Sequence, residues 1–400
     1  MPQATSASPA PPSFEELRQR AEALVPVLRE RAAKTEALRR LPDETIADLH
    51  RSGLFRMLQP ARVGGSELPY TALVELAAII GRGCGSTAWV LNNLASHHWM
   101  LGYWPKAAQD EIWGPSPDTL IGSAFIFPGG RARKVQGGFR LSGRWPFSSG
   151  VDPSAWNMIA GVVPDEQTGA GEYRVFLVPA SDYSVVDTWY VSGLAGTGSK
   201  DVVVTAALVP EHRTLPTEAG KGGTHPGSAI NPGVLFRLPW FALFGFVIAS
   251  VSLGIAKGAI EQFVAATRSK LGTYTGRSLA DFSTMQVHVA EAAALADAAE
   301  AVMLRDCAEA MRFAEAGKMP PMEDKVRWRR DGAYAARLCS KAVDIIFAAA
   351  GGGAIYESNP LQRAFRDIHA ANGHFGVNWD ANAINYGRVA LGLPPDSANL

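Results

Sequence analysis

Four hundred residues, 47% of them hydrophobic and with 38 acidic side chains balancing 38 basic ones, can bury a large core in two or three domains. That balance, with no block of like charges, excludes the electrostatic footprint of a nucleic-acid-binding protein or of one held on an anionic membrane; small molecules and other protein chains remain as partners. Three scattered cysteines, Cys84, Cys307 and Cys339, supply neither a disulfide framework nor metal-ligand spacing, and they predict buried thiols in a reducing cytoplasm.

Residues 1–13 are rich in Pro, Ala and Ser, lack a basic start and a long apolar run, and read as a disordered tail rather than a signal peptide. From Phe14 to about Ala108 apolar residues recur at helical spacing, as in Leu17, Ala21, Leu24, Val25 and Leu28, which predicts an N-terminal helical domain over 14–118. Short β-rich runs follow at Phe139 to Leu141, Asn157 to Val163 and Tyr173 to Val178, punctuated by Gly and Pro, so 119–225 reads as a β domain. Ala-rich helical periodicity returns in Val287 to Phe313 and Ala333 to Ala350, and 226–400 reads as a helical bundle. Leu238 to Ala256 is uncharged for nineteen residues, long enough to span a membrane. Its Leu-Pro-Trp start and its several Gly and Ser favour a helix buried inside the bundle instead.

Two segments of the β domain concentrate chemistry. Ser142 to Trp156 and Gly193 to Asp201 combine Trp, adjacent hydroxyls and freely bending Gly, a composition suited to gripping a flat polar aromatic such as a flavin ring. Neither is a phosphate loop. In Gly198-Ser199-Lys200 the lysine stands on the wrong side of the serine for a Walker loop, and neither this segment nor Gly351 to Gly353 has the glycines of a dinucleotide fingerprint in a strand-turn-helix frame.

His97 and His98 continue a helix, so their side chains point about 100° apart and only one can enter a given pocket. His369 and His374 are five apart, poor spacing for chelation from one helical face, and no metal site is expected. Ser148 and Ser149 face opposite sides of a strand, and which of them faces a ligand depends on a register that sequence leaves open.

Helices, then a β domain, then helices, resembles the acyl-CoA dehydrogenase fold: mostly α, with an N-terminal helical domain, a small β-barrel or sandwich and a C-terminal four-helix bundle. Six local words sharpen the resemblance: Cys84 to Leu91, Gly122 to Phe125, Ser142 to Gly150, Gly193 to Asp201, Val209 to Arg213 and Arg366 to His369. In this order they look like the oxygenase components of two-component flavin-dependent monooxygenases. The resemblance implies FMN in reduced form, with FAD as an alternative, delivered by a separate NAD(P)H:flavin reductase. It further implies reaction with O2 to a flavin C4a-hydroperoxide, hydroxylation of a small aromatic, phenolic substrate, and a cytoplasmic homotetramer.

Residue by residue, the resemblance sets His97 at the phenol oxygen, Ser123 beside it as a hydrogen-bond partner, Ser148 at flavin N5 with Ser149 as its alternate, and His374 at the flavin edge with His369 as runner-up. Arg268 would reach the cofactor phosphates across a subunit interface, and Phe125, Trp145 and Trp240 would wall the ring. One departure from the dehydrogenases is informative: Asn372 to Asn378 contains no Glu, so the base that desaturates acyl thioesters is missing from that position. Oxygenation at sulfur or nitrogen, an atypical acyl-CoA dehydrogenase and a silent flavin-binding subunit remain as alternative readings.

Overall fold

A computed structural model of the chain describes residues 10–164, 171–272, 276–397 and 400. Most of the expected tail, residues 1–9, lies outside the described residues; Ser13 already caps the first helix through a reciprocal pair with Glu16. That helix, α1 (Phe14–Leu38), buries Leu17, Ala21, Val25 and Leu28, the stripe its periodicity predicts. It is followed by α2 (Asp43–Ser52), α3 (Thr71–Gly81), α4 (Gly85–Leu101) and α5 (Lys106–Trp113). Every residue of α4 is buried, because α3, the long helix α6 (Trp240–Ser269) and the sheet all pack on it.

Eight strands make one mixed sheet: β1 (Ile121–Ala124), β2 (Gly130–Val135), β3 (Gly138–Ser148), β4 (Trp156–Pro164), β5 (Gly171–Pro179), β6 (Ser184–Val186), β7 (Lys200–Pro210) and β8 (Thr214–Pro216). Their order is β6-β7-β3-β2-β4-β5-β8, with β1 beside β4. Both β1 and β2 run parallel to β4; the other pairs are antiparallel. Alternation along the strands feeds two cores. Met158, Leu177 and Leu215 join the helices, while Ile159, Phe176 and Val178 fill the sheet's own interior. The sheet curls as a barrel does, bringing the ring of Phe139 in β3 to 5.7 Å from that of Phe176 in β5, with two strands between them in the sheet order, and leaves β6 and β8 as its edges.

The remaining helices are α7 (Ser283–Glu315), α8 (Met322–Ala350), α9 (Pro360–Asn372) and α10 (Trp379–Ala390). Helices α6 to α9 pack as a four-helix bundle, with α10 against α8. The apolar stretch of α6 is 83% buried there, which accounts for its composition without a membrane. Where α6 crosses α3, a Cβ on Gly254 would stand 2.7 Å from the Gly81 Cα, so only paired glycines permit this approach.

Candidate active site

Helix α4 carries the two adjacent histidines, and their environments differ as the helical turn requires. His98 stacks on Trp113, and its Nδ1 accepts from the Trp113 indole at 3.1 Å and faces the Gln59 amide at 3.3 Å, a structural role. His97 approaches the sheet instead, its Nδ1 2.6 Å from the Ile121 carbonyl. A carbonyl only accepts, so Nδ1 carries the proton and Nε2 is left with a lone pair; that Nε2 is buried and has no partner among the described residues. Burial lowers the His97 pKa to about 4, so the ring is neutral near pH 7 and serves as an acceptor.

Ser123 shares the face of β1 that carries Ile121, and Phe125 follows directly after the strand. Phe125 presents its ring edge-on to His97 at 6.2 Å, and the half-buried Ser123 makes no side-chain hydrogen bond among the described residues. Gly122 points the other way. A Cβ there would lie 3.1 Å from the Asn157 Nδ2 and 3.3 Å from the Ser148 Oγ.

The end of β3 shows why its register could not be read from alternation. The pairing with β7 shifts between Trp145 and Ser148, and Phe147 takes a positive φ of 65°. This bulge turns Trp145 and Ser148 inward and leaves Phe147 61% exposed. The Trp145 indole is fully enclosed and donates to the Ala160 carbonyl at 2.7 Å. Ser148, also fully buried, accepts from the Asn157 amide at 2.8 Å. Ser149 accepts from the Trp89 indole at 2.9 Å and meets Ser199 at 2.8 Å. Ser199 in turn meets Thr197, whose hydroxyl donates to the Leu194 carbonyl at 2.9 Å. Because each hydroxyl has one proton, the chain has one direction, Trp89 to Ser149 to Ser199 to Thr197 to Leu194, and the Ser149 proton is already committed. The Gly193 to Asp201 loop is itself held from below, where Asp367 of α9 accepts from the Leu194 N–H at 2.6 Å.

His374 follows α9. Its Nδ1 accepts from the Gly376 N–H at 2.9 Å, so the proton sits on Nε2, the opposite tautomer to His97. Its ring lies 5.7 Å from that of Trp89 and 5.6 Å from that of Phe244, and burial lowers its pKa to about 4. His369 is exposed and pairs with Asp344 at 2.9 Å, so the runner-up stands outside this cluster. Trp240 is buried, stacked on Trp104 and edge-on to Tyr103. Arg268, exposed in the last turn of α6, makes no ion pair among the described residues.

The structure thus brings His97, Ser123 and Phe125 together, and links Ser149 to His374 through Trp89. Trp89 lies within the Cys84 to Leu91 motif, which assigns it no role, and Asn157 lies in no motif. A lone Asn inside the apolar run Trp156 to Val163 was a legible signal, since an amide inside a buried strand requires partners. A flat polar aromatic group fits this place. The His97 Nε2 and the Asn157 Oδ1 are buried without partners among the described residues, and Phe147 and Phe375, 71% exposed, offer rings beside Ser148 and His374.

Comparison with known proteins agrees with this architecture. The acyl-CoA dehydrogenase N-terminal domain profile matches residues 12–116, and the C-terminal domain profile matches residues 246–379. The oxygenase subunit HsaA of a flavin-dependent monooxygenase from Rhodococcus jostii is 34% identical over 94% of this chain and 98% of its own length. The oxygenase component of a FADH2-dependent resorcinol hydroxylase from Rhizobium sp. is 36% identical, covering 92% of each chain. Among solved structures, XiaF from Streptomyces sp. in complex with FADH2 and glycerol superimposes with a TM-score of 0.90 at 31% identity, covering 97% of this chain and 98% of that one.

Proposed function

This chain belongs to the oxygenase components of flavin-dependent monooxygenases built on acyl-CoA dehydrogenase domains, and from that premise we propose that it hydroxylates a small phenol beside its own oxygen. When bound, reduced flavin supplies the two electrons that activate O2, of which one oxygen atom enters the ring and the other leaves as water. The observation that carries the reading is the His97 tautomer. With Nδ1–H spent on the Ile121 carbonyl, the buried Nε2 lone pair can receive only a donor, and a phenol hydroxyl is one. Accepting that hydrogen bond, the neutral imidazole polarises the phenol O–H and pushes electron density onto the ortho carbon, where oxygen is added. Ser123, on the same face, would hold the phenol oxygen.

His374 would act in the opposite sense, holding a proton at Nε2 for the oxygen in transit, and Ser148 would hold the flavin ring through its hydroxyl. Arg268 would reach the flavin phosphates of a neighbouring subunit in a homotetramer. Exposed Ile355 and Tyr356, just beyond α8, support an apolar contact between subunits of that assembly. The reading takes FMN or FAD; the names of the Rhizobium and Streptomyces relatives weigh toward FADH2. A flavin reductase supplies it, in the cytoplasm.

The test mixes the chain with photoreduced FMN or FAD, oxygen and a panel of phenols, and measures catechol-type product against free peroxide. A fitting phenol should receive most of the oxygen consumed. Absence of affinity for reduced flavin, or complete release of oxygen as peroxide with every phenol, would overturn the proposal.

A further inference from the structure

Asn157 is the second residue of β4, opposite Gly122, and is fully buried in a strand otherwise lined by apolar residues. Its Nδ2 donates to the Ser148 Oγ at 2.8 Å, and its Oδ1 has no hydrogen-bond partner among the described residues. Burying an amide half-satisfied costs about 1–3 kcal/mol, and a Leu or Val would fill the same volume without that cost, so packing gives no reason for this side chain. The Tyr183 hydroxyl donates to the Ser154 carbonyl at 3.4 Å; burial pushes its pKa up to about 12, partly offset by hydrogen bonding from the neighbouring Asn157 side chain.

The consequence falls on Ser148. An amide N–H can only donate, so one lone pair of the Ser148 hydroxyl is occupied and its proton is directed away from Asn157. Ser148 keeps one proton and one lone pair, and a hydroxyl that accepts such a bond donates more strongly. Ser149, one residue on, has no such freedom, because its proton is committed to the chain ending at Leu194. Gly122 leaves the room in which the pair meets, since a Cβ there would crowd both partners.

We infer that Asn157 is a positioning residue for the flavin: it fixes the Ser148 hydroxyl so that its proton and remaining lone pair serve a ring nitrogen of the bound cofactor. This rests on the assignment of Ser148 to the flavin made above. The test is a double-mutant cycle on flavin affinity, with the flavin, FMN or FAD, that the wild-type chain binds more tightly. Dissociation constants of the photoreduced form are measured anaerobically for wild type, Ser148→Ala, Asn157→Leu and the double variant, and the absorption maximum of the bound oxidised form is recorded alongside. Each single change should weaken binding about fivefold, and Asn157→Leu should shift the absorption maximum. The double variant should bind no worse than the weaker single one. Additive losses, or an Asn157→Leu chain that binds and absorbs as wild type does, overturn the inference. A silent Ser148→Ala removes the Ser148 assignment itself, whereas an effective Ser148→Ala beside a silent Asn157→Leu removes only the role of Asn157. Asn157→Ala is the second variant if Leu prevents folding, and failure of both to fold assigns Asn157 to the fold and overturns the inference.

Discussion

At the scale of single residues, the two histidines of the site carry their protons on opposite ring nitrogens, and in each case a backbone group decides which. The Ile121 carbonyl demands a proton from His97 Nδ1, and the Gly376 N–H demands a lone pair from His374 Nδ1. One imidazole is thus an acceptor and the other a donor at neutral pH, although burial lowers both pKa values to about 4. His97→Gln should reduce phenol hydroxylation by about 100-fold or more, the usual contribution of a positioned base. It should leave the dissociation constant of reduced flavin nearly unchanged. Anaerobic flavin titration beside product formation checks this, and equal loss of both would assign His97 to cofactor binding instead. The types and spacing of His97, Ser123 and Ser148 were visible in the sequence, but the tautomers were not, because the deciding groups are backbone atoms brought in by β1 and by the turn after α9.

Among elements, the contacts that build the site are closer than side-chain periodicity reveals. Helices α3 and α6 touch backbone to backbone at Gly81 and Gly254. A methyl at Gly254 would gain about 1 kcal/mol of helix propensity. The overlap it creates, 2.7 Å from both the Gly81 Cα and the Ala78 carbonyl oxygen, costs about 1–3 kcal/mol and more for larger side chains. Crowding wins, so Gly254→Val should lower the urea midpoint, with loss of about 2 kcal/mol or more; an unchanged midpoint would show that the crossing can open freely. The bulge in β3 acts similarly on legibility. Strict alternation gives Trp145 and Phe147 the same face, and the positive φ at Phe147 separates them, enclosing the indole and exposing the phenyl ring. That is why alternation alone did not foretell the enclosure of Trp145.

For the molecule as a whole, acid stability reports on the buried titrating groups together. Burial lowers His97 to about 4, His98 to about 3 and His374 to about 4, so below about 6.5 the unfolded chain takes up protons that the folded one refuses, and stability falls with pH. Burial raises Asp367 and Asp306 to about 6, so between there and their ordinary 3.8 the folded chain holds protons that the unfolded one loses, and acidification stabilises. The aspartates only partly offset the three histidines, so the wild-type chain should lose stability on acidification. Asp367→Asn keeps an acceptor for the Leu194 N–H but removes one stabilising proton, so its melting temperature should fall more steeply than that of wild type from pH 6 to 4. Parallel profiles would place the Asp367 proton elsewhere. The order of helical, β and helical regions, the burial of α6 and the chemistry of the cofactor could all be read along the chain, because periodicity and short motifs are local properties. The direction of the Trp89 hydrogen-bond chain, the coupling of Asn157 to Ser148 and the enclosure of Trp145 and Trp240 were decided only by tertiary structure, since each depends on which backbone group or ring arrives from a distant segment.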